Sequence, residues 1–496
     1  MHSDPSHLRA AKARRAPAAP SDTPPSPPAA VDDTALESLF LHLDLRSLRA
    51  AAAVSSAWRA MSGRVVRSAA WRREHWEYLP AEEVTHRFGA TELRVHPRYQ
   101  QLSRPRSDRL GVAVRAFDVA GEARRSSSGR LAVVITKVAD AFGAEPSLSA
   151  DNHGHLMQRL LVELQLSHHF HGHANLLTFS DILLPSKQAF SGWRDLYLVS
   201  PDPGPDLARI LRSPQSVFPL QQAPSLGRQL LEGLSALHSA GVVHSQLTPS
   251  CCFVDDAGRL RIGELHSARA ADVGRWPRCH VRDDSRPSSA RCQWYSAPEL
   301  LLGERRDCLS CAVDVWAAGC ILAELLIGEP LLPGNNFLSQ ICRAVQLCKS
   351  LTGEEPPLGW VKNRQAAAYA KSALGVDEAT ALDAMASTSE FDVLRQLLAF
   401  NPRDRIDAAA ALQLDYFVAA SFDGSEHEEG ADAASSERGQ HAPAAAGNTW
   451  PPFSFQDCLW EEAADDGSLL PTANELRRRF WNMACPFHPE VDPIPS

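Results

Sequence analysis

No apolar run in this 496-residue chain is long enough to cross a bilayer. The longest, Ala317 to Ile327, is interrupted by Glu324 and falls short of the roughly 20 residues a spanning helix needs. The first 30 residues hold no apolar stretch either, so no secretory signal is expected. Positive charge is not in excess: the formal net charge is -9, which argues against general nucleic-acid binding. The 11 cysteines are scattered. Cys251-Cys252 and Cys308-Leu-Ser-Cys311 come closest to a metal pattern, but no second pair follows at zinc-finger distance, so reduced thiols and no metal site are expected. What is present is an ordinary globular balance, 44% hydrophobic and 22% charged, in a length that allows two or three domains. The expectation is a soluble protein of the cytoplasm or nucleus, with no nucleic-acid or membrane partner.

Composition shifts divide the chain. Residues 1–31 are rich in Ala, Pro, Ser and Arg and are expected to be a disordered tail. Residues 32–80 follow a helical pattern, and 81–104 are expected to be a linker. From Arg109 to Ile135 the pattern is short and strand-like, with Arg125-Ser-Ser-Ser-Gly129 as a turn. Helical patterns then run to Phe417. Residues 421–449 form an Ala, Glu, Ser and Gly-rich insert expected to be disordered. Order returns over 450–496, with a helix predicted around Thr472–Asn482.

Several motifs fall in a fixed order. Ser296-Ala297-Pro298-Glu299 follows Trp294-Tyr295. Asp314-Val-Trp316-Ala-Ala-Gly319 opens an apolar helical run. Asn401-Pro402-Arg403-Asp404-Arg405-Ile406 comes late. His169-Phe-His-Gly-His173-Ala-Asn, Pro333-Gly-Asn-Asn-Phe337-Leu-Ser-Gln and Pro452-Phe-Ser-Phe455 complete the set. Together they resemble a protein kinase domain of the MAP-kinase type. The resemblance implies an α+β, bilobal fold over 105–420: a β-rich small lobe at about 105–200 and a helical large lobe at about 201–420. A MAP-kinase-like C-terminal extension over 450–496 returns to the small lobe. It also implies that Glu299 and Arg405 form a buried ion pair and that Asp314 is structural.

Phosphoryl transfer needs positioned charge: a lysine on the phosphates, two metal-holding groups and an aspartate to orient the substrate hydroxyl. Where the family has His-Arg-Asp-Leu-Lys-Pro-x-Asn, this chain has His244-Ser245-Gln246-Leu247-Thr248-Pro249-Ser250-Cys251. Gln246 stands at the catalytic aspartate, and a neutral amide accepts no proton near neutral pH. Thr248 replaces a lysine, and Cys251 replaces the metal-binding asparagine with a poor magnesium ligand. The metal motif Asp-Phe-Gly reads Glu264-Leu265-His266. In the strand Ala132-Val-Val134-Ile-Thr136-Lys137, Thr136 stands at the phosphate-binding lysine. Lys137 is next to it, but strand side chains alternate, so it should point outward unless a bulge intervenes. Glu163 is the partner the family gives that lysine. Read as the glycine-rich loop, Gly111-Val-Ala113-Val-Arg-Ala116 has lost two of three glycines, and Val134 and Phe253 push volume into the nucleotide slot. No catalytic residue is expected to be active and no cofactor is expected. The alternative is a divergent serine/threonine kinase using Lys137, Glu264, ATP and magnesium.

The N-terminal pattern is separate. Leu36, Leu39, Phe40 and Leu43 recur at i, i+3, i+4 and i+7, one helix face. Leu48 belongs to a second helix, and Val54, Trp58, Met61 and Val65 mark a third. The order resembles a three-helix F-box, although the family's opening Leu-Pro is missing at Thr34-Ala35-Leu36-Glu37. A unit of about 45 residues buries too little surface to stand alone. The resemblance implies a Skp-type adaptor and a cullin ubiquitin ligase as partners. A helical extension packed on the kinase-like lobe is the other reading. Asp423, Glu426, Glu428 and Glu429 lie where MAP kinases carry an acidic docking patch, or they form a solvated linker. The combined expectation is a substrate-recruiting or scaffolding pseudokinase.

Overall fold

A computed structural model describes residues 84–107, 110–118, 131–142, 150–184, 192–213, 222–271, 290–303, 310–373, 388–419, 450–454 and 473–485. The chain divides into two units, Met1–Leu79 and Pro80–Ser496, and every described residue belongs to the second. The F-box-like positions Leu36, Leu39, Phe40, Leu43, Leu48 and Trp58 and the acidic stretch from Asp423 to Glu429 lie outside the described residues.

The small lobe is built on alternation. β5 (Val112–Asp118) and β6 (Leu131–Val138) pair antiparallel, with Ala113 opposite Thr136 and Arg115 opposite Val134. Residues directly opposite share a face. One face therefore carries Val114, Ala116, Val133 and Ile135, which join Tyr197 and Val199 of β8 (Leu196–Pro201) in a core. The other face carries Ala113, Arg115, Val134 and Thr136. The sheet order is β3-β5-β6-β8-β7, with β4 (Arg106–Ser107) also on β5. β3 is Tyr99–Gln100 and β7 is Asp181–Leu183.

The expected linker at 81–104 is instead part of this lobe. β1 (Val84–Phe88) and β2 (Thr91–Val95) form a hairpin. Leu93, Val95 and Tyr99 close the outer face of the large sheet. An isolated hairpin is marginal in water, so this one depends on the apolar surface it covers. Arg98 bridges Asp118 and Asp181 at 3.1 and 3.2 Å, and Tyr99 donates to Asp181 at 2.8 Å.

α1 (Ala150–His169) buries Met157, Leu160, Leu161 and Leu164 and rests on the turn 265–267. The large lobe forms around α3 (Ala223–Ser239) and α4 (Ala312–Ile327), with the short α2 (Leu207–Leu211) before them. α4 is buried on every side from Val313 to Leu325, as a helix apolar all round must be. Gly328 ends it in the left-handed conformation. α5 (Phe337–Thr352) starts with a reciprocal capping box between Asn336 and Ser339. Two short hairpins carry the loops at the lobe junction: β9 (Val242–Val243) with β12 (Arg269–Ala270), and β10 (Cys252–Val254) with β11 (Leu260–Ile262). Among the described residues no helix is long and apolar enough to cross a membrane.

The C-terminal return touches both lobes. Trp450 N–H donates to Ser239 Oγ at 3.1 Å and Phe453 N–H to Ala240 O at 2.9 Å. The predicted helix is present as α6 (Ala473–Ala484). There Arg477 donates to the Trp193 and Phe142 carbonyls, both at 2.8 Å, and Phe480 and Trp481 are buried.

Candidate functional site

The residues singled out by their chemistry converge on the cleft between the two lobes. Its roof is the face of β5 and β6 that carries Ala113, Val134 and Thr136. Ala113 and Thr136 are buried there. The loop after β9 reaches the cleft from below. Asp314 anchors that loop from α4, accepting the backbone N–H of His244 at 2.8 Å and of Ser245 at 2.9 Å. His238 Nε2 lies 3.0 Å from the same carboxylate. His244 is fully buried, with Nε2 2.9 Å from Gly263 O. Ser245 is held left-handed at φ 69, a conformation that costs a non-glycine residue free energy.

Held this way, the loop presents neutral groups. Gln246 is exposed at the cleft, and its Oε1 receives the Ser267 hydroxyl at 3.3 Å. Ser245 Oγ donates to Ser267 O at 2.7 Å. Thr248 is buried beside Cys251, with Oγ1 and Sγ 3.4 Å apart. The Cys251 thiol points to Gln246 O at 3.5 Å, inside the loop. Glu264 sits left-handed at φ 65, with its carboxylate 3.9 Å from His266 Nδ1. Glu163 of α1 is buried. Among the described residues no group of three His, Cys, Asp or Glu side chains is placed to hold a metal ion, and all eight cysteines are free thiols.

One reading of the small lobe changes. The glycine-rich loop does not span Gly111 to Ala116. β4 ends at Ser107 and β5 runs from Val112 to Asp118, so Ala113 and Ala116 are strand residues. Ala116 belongs to the outer core and does not line the cleft. Gly111, at φ 153, passes so close to Lys137 that a Cβ would run into its carbonyl. Strand alternation decides the rest: a stretch with small residues at 111, 113 and 116 looks like a loop until pairing fixes its register. Lys137 does point away from the cleft, but it is not solvated. Its Nζ lies 2.7 Å from Asp195 Oδ2, donates to Glu92 O at 2.9 Å and sits 5.7 Å from the Tyr197 ring. Hydrogen bonding to Asp195 and the charge of its neighbours outweigh burial and push its pKa up.

The back wall of the cleft was not anticipated. Val134 pairs with Ser200, and Phe253 is bridged to Asp206. The connector Pro201-Asp202-Pro203-Gly204-Pro205 therefore runs from the roof strand to the floor strand. Asp202 N–H donates to Ala132 O at 3.0 Å, and Gly204 N–H to Asp202 Oδ1 at 3.2 Å. Arg115 reaches from the roof to Asp202 Oδ2 at 3.0 Å. The floor ring of Phe253 fills the space over Gly263, where a Cβ would meet it at 3.0 Å. The three prolines are plain in the sequence, but nothing local marks them as a wall. Only strand pairing does.

Below the cleft a buried ion pair pins the large lobe. Arg405 donates from Nη1 and Nη2 to Glu299 Oε1 and Oε2 at 2.8 and 3.1 Å. Its side chain is fully buried, and its guanidinium lies 5.1 Å from the centre of the Trp316 ring.

Comparison with known proteins agrees with this architecture. Residues 133–417 match the protein kinase domain family model. Mitogen-activated protein kinase spk1 of Schizosaccharomyces pombe is 34% identical over 278 residues, covering 55% of this chain and 70% of the relative. Mitogen-activated protein kinase 6 of Oryza sativa subsp. japonica is 30% identical over 306 residues, covering 61% and 74%. Cyclin-dependent kinase 20 of Pongo abelii is 33% identical over 220 residues, covering 43% and 59%. With a family match over more than half its length and MAP kinases among its relatives, the chain belongs to the protein kinase domain family.

Proposed function

We propose that this chain is a pseudokinase: a MAP-kinase-like fold that binds proteins and transfers no phosphate. The observation that carries the reading is Gln246. It stands on a rigidly anchored loop where the family places its catalytic aspartate, and its amide oxygen already receives Ser267 Oγ. An amide accepts no proton near neutral pH. Thr136 on the cleft face brings no charge to a phosphate, and Cys251 turns its thiol into its own loop. The test is a thermal scan of the full chain with magnesium and ATP. The expected result is no rise in melting temperature; a dose-dependent rise, as ligand in excess of its dissociation constant produces, overturns it.

The F-box-like stripe gives the reading its second half. Leu36, Leu39, Phe40 and Leu43 recur at the spacing of one helix face, Leu48 and Trp58 belong to the two helices expected after it, and a unit this short buries too little surface to stand alone. We assign to it a Skp-type adaptor, which makes the chain a substrate-recruiting subunit of a cullin ubiquitin ligase. Leu39→Asp with Phe40→Asp is expected to abolish adaptor co-purification while the kinase-like domain stays folded, because the new charges are buried without partners. Wild-type protein that retains no adaptor ends the ligase half and leaves the pseudokinase half standing.

The enzyme reading rests on a different observation. Glu264 keeps a carboxylate at the cleft, in a left-handed position beside an intact large-lobe frame, so a divergent magnesium-dependent kinase is its runner-up. That kinase needs Lys137 in the cleft, and Lys137 is engaged by Asp195 and Glu92 on the opposite face.

A further inference from the structure

Ala113 and Val134 on the roof face and the Phe253 ring on the floor strand are apolar, the kind of surface between which a planar heterocycle is held. Such a ligand is oriented by a few polar groups at its edge, and here the edge would face the connector 201–205. Proline has no backbone N–H, so Pro201, Pro203 and Pro205 offer no donor. The two remaining N–H groups are already given to Ala132 O and to Asp202 Oδ1. The back wall therefore has no backbone donor to offer. A purine edge carries ring nitrogens that only accept, and each acceptor buried without a donor costs about ten- to a hundredfold in affinity. At the mouth, Arg115 lies across the slot from roof to wall, 3.0 Å from Asp202, with half of its side chain exposed.

We propose that Pro203 and Arg115 are the residues that make this cleft refuse purines, independently of the lost lysine and aspartate. Pro203 is at the centre of the wall and withholds the donor that a base needs. Arg115 fills the mouth with its own guanidinium. The inference rests on the pseudokinase reading and deepens it. The phosphate side of the cleft and its base side are separate defects, and restoring charge at Thr136 leaves the base side closed.

The probe is adenosine, which has a purine and no phosphate, so the phosphate side plays no part in its binding. The full chain, Thr136→Lys, Pro203→Ala and the double variant Arg115→Ser with Pro203→Ala are titrated with adenosine and followed by calorimetry. Circular dichroism checks that each is folded. Wild type and Thr136→Lys are expected to show no binding at millimolar adenosine. The double variant is expected to bind at least about tenfold more tightly, since one ring nitrogen regains a donor. Pro203→Ala alone, which keeps the ion pair, is expected to give the larger share of that gain. A folded double variant that behaves as wild type overturns the inference. If the double variant does not fold, a gain below about threefold in Pro203→Ala overturns it. Adenosine binding by Thr136→Lys alone also overturns it. Wild-type protein that already binds magnesium-ATP overturns both readings, whereas a folded double variant that gains no adenosine binding overturns this inference alone and leaves the pseudokinase reading standing, so the two failures are distinguishable.

Discussion

The frame of the large lobe and the floor of the cleft are neighbours in space and differ in chemistry. The frame is charged and paired: Glu299 with Arg405, and Asp314 with the His244 and Ser245 amides and His238. The floor is neutral: Gln246, Thr248 and Cys251 hydrogen-bond within their own loop and to Ser267. Charges that hold the fold and touch no phosphate are all in place. The loop at the cleft carries an amide, a hydroxyl and a thiol at 246, 248 and 251. The two sets have different partners, so they can be broken separately.

The sharpest break is Arg405→Ala. It leaves Glu299 buried without its cation, and removing one partner of a buried pair costs about 3–5 kcal/mol. Chemical denaturation is expected to show that loss, with no change in any property of the cleft. A loss below about 1 kcal/mol, the range of exposed pairs, would mean that the frame is not held by this pair.

A smaller effect is expected from pH at the lobe junction. Burial lowers the His173 pKa to about 4. Its Nδ1 accepts the Asn175 N–H at 3.1 Å, which requires the neutral ring. A histidine depressed in the fold contributes stability that is present above its unfolded value, about 6.5, and is lost as pH falls toward about 4. The expected loss is on the order of 2 kcal/mol between those limits. His173→Gln, which keeps an acceptor without titrating, is expected to flatten the curve of stability against pH. Parallel curves for variant and wild type would remove His173 as the cause.

The smallest effect is at the floor. Gln246 is exposed, and Gln246→Ala removes only the bond from Ser267 Oγ, so stability should stay within about 0.5 kcal/mol of wild type. A loss comparable to that of Arg405→Ala would erase the distinction between frame and floor.

Motif order alone made the large lobe legible. Glu299 and Arg405 are 106 positions apart, and the resemblance alone links them. The C-terminal helix was also readable from its period, within two residues at its end. The small lobe was less legible. The hairpin of β1 and β2 reads as a linker because the apolar surface it covers, on β5, β6 and β8, lies further along the chain. A small-residue run at Gly111, Ala113 and Ala116 reads as a loop until its register with β6 is known.

What the sequence determined by itself is which functional groups stand at the family's motif positions. The side chains at 246, 136 and 251 are an amide, a hydroxyl and a thiol, and no placement turns an amide or a hydroxyl into a charged group near neutral pH. What only the tertiary structure decided is direction and neighbourhood. Pairing of β5, β6 and β8 put Ala116 and Lys137 on the outer face and Thr136 and Arg115 on the inner one. The same pairing, with the bridge from Phe253 to Asp206, turned three prolines into the back wall of a cleft. The physical reason is that a side chain's identity is local, whereas the face it occupies and the donors left around it are set by hydrogen bonds to residues far away in sequence.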